Sequence, residues 1–575
     1  MTETGALTSA NTISVAEAYL SLLHDRGIDF LYVGAGTDTA PVIEAYSRAE
    51  EAGLRFPAPI LAVHENLAVG MAHGYTMLTG RPQAVMLHVT VGAANAVCAI
   101  MNAARAQIPV LFTAGRTPLL EEGRLGARSH EVHWAQEMYD QGGMLRELVK
   151  WDYELRDGTN VEQIIDRALG ISMTEPRGPV YLTLPREVLA QEKKGCRLRG
   201  SYLAATSPHP APHAVTAVAR ALIEAKMPVF VCTNTGANPA TVALLQEIAN
   251  RFGIGVAENK PRYMCFPSDH PLHLGFDMAS VFREADALVF LDCDVPWIPA
   301  LFQPNEDTFI AQVGPDPLFG NYPVRSFRSD VAITASSQSF LEALIPALAE
   351  AGGEPRQSVR HAAAASQSRH MRQAVALREQ GDRAKGGPIT KLFLSRCLQE
   401  VKSEDAIIVN EYPAMREQMA FNQPGTFFQL PSSGGLGWGM PAALGVQQAA
   451  PDKVVIAVLG DGAYLFANPA ACHQAADMLR LPLLTVIFNN ESWDAVQKAA
   501  QGMYANGHAD QQLKKRGHAP ISSLKPLPDF EKYVEASGGY GERVTERDQL
   551  IPALLRALHA VRHEKRQALL NVMGV

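Results

Sequence analysis

The chain has 575 residues, 47% of them hydrophobic and 19% charged, with a formal net charge of −8. That length exceeds what one core supports and fits about three domains of ordinary globular composition. The negative balance argues against nucleic acid as the main partner, and no apolar run is long enough to span a bilayer. Residues 1–14 lack the basic start and apolar stretch of a secretion signal. The cysteines (Cys98, Cys196, Cys232, Cys265, Cys293, Cys397 and Cys472) are scattered, without a CxxC pair or Cys/His ligand spacing. They read as reduced thiols of a cytoplasmic protein.

From the N-terminus, Thr12 to Arg26 places Ala16, Tyr19, Leu20 and Leu23 at helical spacing, with Ser14 as candidate N-cap. Phe30 to Val33 is an apolar strand running into Gly34-Ala35-Gly36-Thr37, a turn that lacks the full GxGxxG of a dinucleotide site. Ile60 to Val63 leads through His64 and Glu65 into a helix of small residues that must be closely packed. A carboxylate at a helix start is favoured by the helix dipole but is costly to bury without a partner. Gln83 to His88 is a strand ending in Val89-Thr90-Val91-Gly92, and Ile108 to Ala114 is another. The loop after it carries Arg124, Arg128, His130 and His133, read as exposed charge.

Gln191 to Pro212 reads as a connector. Val215 to Ala225 is a predicted helix, and Val229 to Cys232 and Ala287 to Leu291 are predicted strands of a second α/β unit. Ala349 to Ala384 is charged and Ala-rich, and reads as a long linker with helical parts. Ile389 to Glu400 is a helix, and Ala406 to Val409 a strand leading to Asn410-Glu411. Further on, Val454 to Leu459 and Leu483 to Phe488 are apolar runs of the kind buried in parallel sheets. The first ends in Gly460-Asp461-Gly462 and the second in Asn489-Asn490. If the two strands are neighbours, Asp461 and Asn490 face one point at the carboxyl-end edge, where open α/β sheets bind ligands. A carboxylate, an amide oxygen and a backbone carbonyl, with Ser492 as candidate, suit a hard cation whose shell phosphate oxygens complete. Glycines there let the backbone approach a diphosphate. A predicted helix and a strand, Ala568 to Val572, close the chain.

Gly460-Asp461-Gly462, a gap from Ala463 to Phe488 and then Asn489-Asn490 resemble the signature of thiamine diphosphate enzymes. HENLAVGMAHGY, residues 64–75, is similar to a segment of the pyruvate-decarboxylase-like members, in which the glutamate meets the aminopyrimidine ring. LHVTVGAANA, from Leu87, resembles the corresponding turn of the benzoylformate decarboxylase branch, and Ala135-Gln136-Glu137 a segment of acetolactate synthases. Gly434-Gly435-Leu436-Gly437 resembles the turn whose bulky residue bends the cofactor.

The resemblance covers nearly the whole chain. It implies three doubly wound parallel-sheet α/β domains: pyrimidine-binding (1–190), central (205–350) and, after a linker (351–384), diphosphate-binding (385–575). It implies Glu65 and His88 as catalytic residues, and Gly434, Leu436, Gly460, Asp461, Gly462, Ala463 and Asn490 around thiamine diphosphate. Mg2+ falls to Asp461, Asn490 and Ser492. Thr37, Gln136, His270 and Trp493 are weaker substrate candidates. FAD in the central domain is disfavoured but not excluded, since no glycine-rich fingerprint is present.

The implied reaction is decarboxylation of a 2-oxo acid, carboligation, or both. A homodimer or dimer of dimers is implied, with active sites at the subunit interface. The alternatives are a 2-hydroxyacyl-CoA lyase or oxalyl-CoA decarboxylase type, a flavin-dependent oxidase, and a non-catalytic cofactor-binding assembly subunit.

Overall fold

Apolar runs bounded by glycine-containing turns form three separate all-parallel sheets, each wrapped by helices. The computed structural model describes residues 12–196, 198, 202–352 and 357–575. Parts of the expected connector (191–212) and linker (351–384), and residues 1–11, lie outside the described residues.

The first sheet consists of β1 (Phe30–Val33), β2 (Ala58–Leu61), β3 (Gln83–Leu87), β4 (Val110–Arg116), β5 (Asp152–Glu154) and β6 (Val180–Pro185), in the order β2-β1-β3-β4-β6-β5. The second has β7 (Pro228–Cys232), β8 (Gly255–Glu258), β9 (Ala287–Leu291), β10 (Phe309–Gly314) and β11 (Val331–Thr334), in the order β8-β7-β9-β10-β11. The third has β12 (Ile407–Glu411), β13 (Phe427–Gln429), β14 (Val455–Gly460), β15 (Leu484–Asn489), β16 (Tyr540–Val544) and β17 (Ala568–Met573), in the order β13-β12-β14-β15-β17-β16. The central strands β3 and β14 are mostly apolar and buried, because helices cover both faces. In every sheet the winding reverses between two neighbours: β1 and β3, β7 and β9, β12 and β14. Such reversal points open a crevice at the carboxyl ends of the strands.

Three helices of the first unit set the positions of its polar side chains: α1 (Val15–Asp25), α2 (Glu65–Thr79) and α3 (Val89–Arg105). Ser14 caps α1 through a full capping box: the Glu17 N–H donates to Ser14 Oγ at 3.1 Å, and the Ser14 N–H to Glu17 Oε2 at 2.6 Å. Two features depart from the sequence-based expectation. The expected linker contains one continuous helix, α4 (Gln357–Lys385), which buries Arg360, Ala364 and Ser368 at four-residue spacing against the second unit. Charge hid this stripe, because it is narrow and most of the helix is exposed. The strand β16 was not foreseen either: Tyr-Gly-Glu-Arg-Val is a half-buried edge strand with no continuous apolar run.

In the third unit α5 (Gly439–Ala449) packs along α2, joining the first and third units. Glycines make this crossing possible. A Cβ on Gly74 would lie 1.9 Å from the Ala442 carbonyl oxygen, and one on Gly445 would lie 2.0 Å from that of Met71. Polar ties fasten the second unit to the third. Arg262 pairs with buried Asp294 and donates to Ser432 Oγ at 2.6 Å. Arg416 and His273 meet Glu258, at 3.3 and 2.9 Å.

Substituting Gly74 by Ala should therefore cost about 1–3 kcal/mol through overpacking. The same change at exposed Gly381, on α4, should gain about 0.5–1 kcal/mol through helix propensity. Urea denaturation midpoints compare the two variants. Equal stability would show that the α2–α5 crossing is loose enough to admit a methyl group.

Candidate functional site

The reversal point of the first sheet places the turn after β1 beside the end of β3. Asp38 lies in that turn, 2% exposed, and its Oδ1 meets His88 Nδ1 at 2.5 Å. Its Oδ2 accepts the Val89 N–H at 3.3 Å. The hydrogen bond to Asp38 raises the His88 pKa above the usual imidazole value, although partial burial opposes the shift. Gly36 permits this approach, since a Cβ there would lie 2.0 Å from His88 Nδ1. The pairing leaves Nε2 as the nitrogen available to a ligand.

Glu65 is the first residue of α2. It is half-buried, and its Oε2 accepts from Asn95 Nδ2 at 3.2 Å. Thr37 is exposed, with its carbonyl accepting from Arg186 Nη1 at 3.4 Å. Gln136 is half-buried, with its side-chain oxygen buried and without a hydrogen-bond partner among the described residues. The expected loop charge is largely structural. Arg128 donates to the carbonyls of Pro118 and His133 and pairs with Glu137.

The reversal point of the third sheet brings together the ends of β12 and β14, with β15 adjacent. Asp461, 4% exposed, begins α6 (Asp461–Phe466), of which Ala463 is also buried. Its oxygens accept the N–H groups of Gly462 at 2.8 Å and Ser492 at 3.3 Å. No cationic side chain pairs with it among the described residues. Burial raises its pKa, and the surrounding backbone N–H donors reduce the effect. Asn490 Oδ1 also accepts from the Ser492 N–H, at 3.2 Å, which draws Asp461, Asn490 and Ser492 into one group. The Ser492 carbonyl accepts from the Asp494 N–H at 2.9 Å and keeps its second lone pair. Among the described residues no three His, Cys, Asp or Glu side chains form a metal site. A cation here would therefore draw on one carboxylate, neutral oxygens and oxygens of its own ligand.

The two glycines flanking Asp461 differ. A Cβ on Gly460 would meet nothing within 4 Å, whereas one on Gly462 would lie 2.2 Å from the Trp493 ring. Gly462 thus makes room for the indole of Trp493, which also packs edge-on against Phe466 at 5.6 Å. Open space thus borders Gly460, while the indole borders Gly462. Trp493, a weaker substrate candidate, stands just before α7 (Asp494–Met503), with its indole against Gly462 and Phe466.

The turn 434–437 lies between the two halves. Leu436 is partly exposed, and Gly434 adopts φ 65°. Asn102 Nδ2 donates to the Gly435 carbonyl at 2.8 Å, and Asn66 Nδ2 to that of Gly437 at 2.9 Å. Asn66 follows Glu65, so the start of α2 is tied directly to the Leu436 turn. Among the described residues no hydrogen bond links Glu65 to Asp461 or Asn490. His270 joins neither group: its Nε2 meets Asn250 at 3.2 Å and its Nδ1 accepts the Leu272 N–H at 3.1 Å, within the second unit. Sequence reasoning missed Asp38, Asn66, Asn102 and the side chain of Glu411. Asp38 carried one legible signal, a lone carboxylate in a turn of otherwise small residues.

Because the folded-state pKa of His88 is raised, the stability from its ion pair is fully present below about pH 6.5. It is lost as the pH rises through the raised value. Replacing Asp38 by Asn should move the His88 titration midpoint down, as followed by NMR of the imidazole. An unmoved midpoint would mean that the pair does not form in solution.

Comparison with known proteins places these residues in context. Three family models of the thiamine pyrophosphate enzyme match in chain order: the N-terminal TPP binding domain over residues 13–144, the central domain over 215–344 and the C-terminal TPP binding domain over 411–572. Benzoylformate decarboxylase of Pseudomonas aeruginosa is 26% identical over 512 residues, 84% of this chain and 87% of its own length. Acetolactate synthase isozyme 3 large subunit of Escherichia coli is 23% identical over 576 residues, 96% of this chain and 93% of its own length. Among solved structures, the thiamine diphosphate-dependent 4-hydroxybenzoylformate decarboxylase of Rhodococcus jostii RHA1 superposes with a TM-score of 0.74 at 23% identity, over 98% of this chain and 99% of that one.

Proposed function

The chain belongs to the thiamine pyrophosphate enzymes, and from that premise we propose that it uses thiamine diphosphate and Mg2+ to decarboxylate a 2-oxo acid, to join the product to a second carbonyl, or both. The observation that carries this reading is Asp461, a buried carboxylate without a cationic partner, grouped with Asn490 and Ser492 at a strand-end crevice. Those three residues would hold the metal, and Gly460 borders open space suited to a diphosphate. Gly434, Leu436, Gly462 and Ala463 would line the remaining contacts. When bound, thiamine diphosphate supplies a carbon nucleophile and an electron sink for the pair left by departing carbon dioxide.

The side chains of this protein do the rest. Glu65 would hold or release a proton at Oε1, the oxygen not engaged by Asn95. Leu436 would shape the cofactor, so that proton transfer occurs between neighbouring atoms. His88 would present Nε2 to hold or deliver a proton to the substrate, with Asp38 fixing the ring through Nδ1. Thr37 and Gln136 stay as candidates around the substrate. A second copy of the chain would complete the site. The exposed apolar side chains Leu61, Val63, Val91, Tyr412 and Phe466 near the two crevices support that assembly. A cytoplasmic setting is supported by the seven cysteines, all unpaired.

The test is carbon dioxide release with Mg2+ and thiamine diphosphate across pyruvate, branched, aromatic and CoA-linked 2-oxo acids, with products identified by mass spectrometry. We expect release from at least one acid, lowered at least about 100-fold in Glu65→Gln. A panel without turnover, although the cofactor binds, would overturn the decarboxylase reading. Asp461→Ala should weaken Mg2+-dependent cofactor binding at least tenfold by calorimetry. Chelation of the metal should weaken wild-type binding in the same direction. Unchanged affinity in Asp461→Ala would move the metal site elsewhere.

A further inference from the structure

Glu411 is the last residue of β12, at the reversal point of the third sheet, and it is fully buried at 0% exposure. Its Oε1 accepts the Gly437 N–H at 2.8 Å, and its Oε2 accepts the Gly439 N–H at 2.6 Å. Both peptides lie just after Leu436 in the chain. No lysine, arginine or histidine pairs with the carboxylate among the described residues. The titratable groups in electrostatic reach are the thiol of Cys98 on α3 and the phenol of Tyr412. Burial pushes the Glu411 carboxyl up to about 7, although the N–H donors of Gly439, Gly437 and Trp438 oppose the shift.

A buried carboxylate with no counter-ion is costly, and backbone N–H groups alone could be met by a neutral oxygen. What a carboxylate adds is two acceptors on one rigid fork, and here each takes one peptide of the turn. The turn leaves little freedom of its own. Gly437 adopts φ 83°, and a Cβ there would lie 2.3 Å from the Phe466 carbonyl oxygen. From the other side, Asn66 Nδ2 holds the Gly437 carbonyl. The Gly437 residue is thus gripped at its N–H by β12 and at its carbonyl by the start of α2.

We infer that Glu411 is a positioning residue of the active site: its fork clamps the peptides after Leu436 and so fixes that side chain at the edge of the third unit's crevice. The inference rests on the proposed use of thiamine diphosphate. It goes beyond that use by assigning a role to a side chain that touches neither cofactor nor substrate.

The experiment compares full-length wild type, Glu411→Gln, Glu411→Asp and Leu436→Ala. Three quantities are read: amide hydrogen exchange of peptides spanning residues 434–441, affinity for thiamine diphosphate with Mg2+ from quenching of tryptophan fluorescence, and C2-proton exchange of the bound cofactor by NMR. Glu411→Gln should exchange the amides of the turn at least tenfold faster. It should also slow C2-proton exchange at least tenfold, in the direction of Leu436→Ala. Glu411→Asp, which keeps the fork one methylene short, should recover part of both. Wild-type values of both in folded Glu411→Gln would overturn the inference. If that variant does not fold, Glu411→Asp decides by the same two readouts, and wild-type values there would overturn it. Failure of the wild type to bind thiamine diphosphate would instead remove the proposed function, leaving the amide exchange to judge the clamp on its own.

Discussion

The crossing of α2 and α5 is the constraint on which the rest of the molecule depends. Two helices approach until a glycine on each faces a carbonyl oxygen of the other, with no space for a methyl group. Such contact is short-ranged, so it fixes the relative position of the first and third units tightly. Residues proposed for the chemistry sit at the N-terminal ends of these same helices. Glu65 begins α2, and the Leu436 turn leads into α5. The glycine contacts therefore set how the starts of α2 and α5, with Glu65 and the Leu436 turn, stand relative to one another within one chain. The Asn66 bond to Gly437 continues the same alignment in polar form.

Buried carboxylates divide into two kinds in this protein. For Glu258 and Asp294, burial alone would raise the pKa. Arg416 with His273 and the Cys265 N–H, and Arg262 with Tyr322 and the Val295 N–H, respectively more than offset this, and both carboxyls lie below the usual range. They join the second unit to the third and do not depend on a ligand. Asp461 and Glu411 are buried with backbone N–H groups as their main partners, and both are raised. The fold supplies guanidinium partners at domain joints and, among the described residues, none at this crevice, so burial there favours the neutral forms. At Asp461 the absent partner fits the proposed metal. At Glu411 the two N–H groups of the turn already take both oxygens.

The three sheets repeat one topological device. Each reverses its winding between two adjacent strands, and polar residues gather at each reversal: Asp38 with His88, Asp292 with Asn234 and Thr235, and Glu411 with Asp461. The middle crevice opens toward the first unit as a cleft of about 330 Å³ that includes Arg177 and Ser337. The outer two carry the residues proposed for catalysis and for the metal. Strand ends suit these tasks because the backbone is held by the sheet up to the last residue, while the next residue is free to turn toward a ligand.

Much of this was legible in the linear chain. Continuous apolar runs marked the inner strands, since burial on both faces leaves no polar alternation to confuse the reading. Gly460-Asp461-Gly462 and Asn489-Asn490 marked two neighbouring strand ends, because a parallel sheet places successive strand ends on one side. Residues whose meaning depends on a distant partner were not legible. Asp38 and His88 are fifty positions apart, and only the β1–β3 pairing makes them a dyad. Glu411 looked like the end of a strand until the turn at 437–439 folded over it. The Trp493 ring against Gly462 has no mark in the local sequence either. The bonds that His270 makes with Asn250 and Leu272 were equally invisible in the chain. Local pattern determined the elements, the order of the three units and the family. Tertiary structure alone decided which side chains meet, because that depends on sheet order and helix contact between segments hundreds of residues apart.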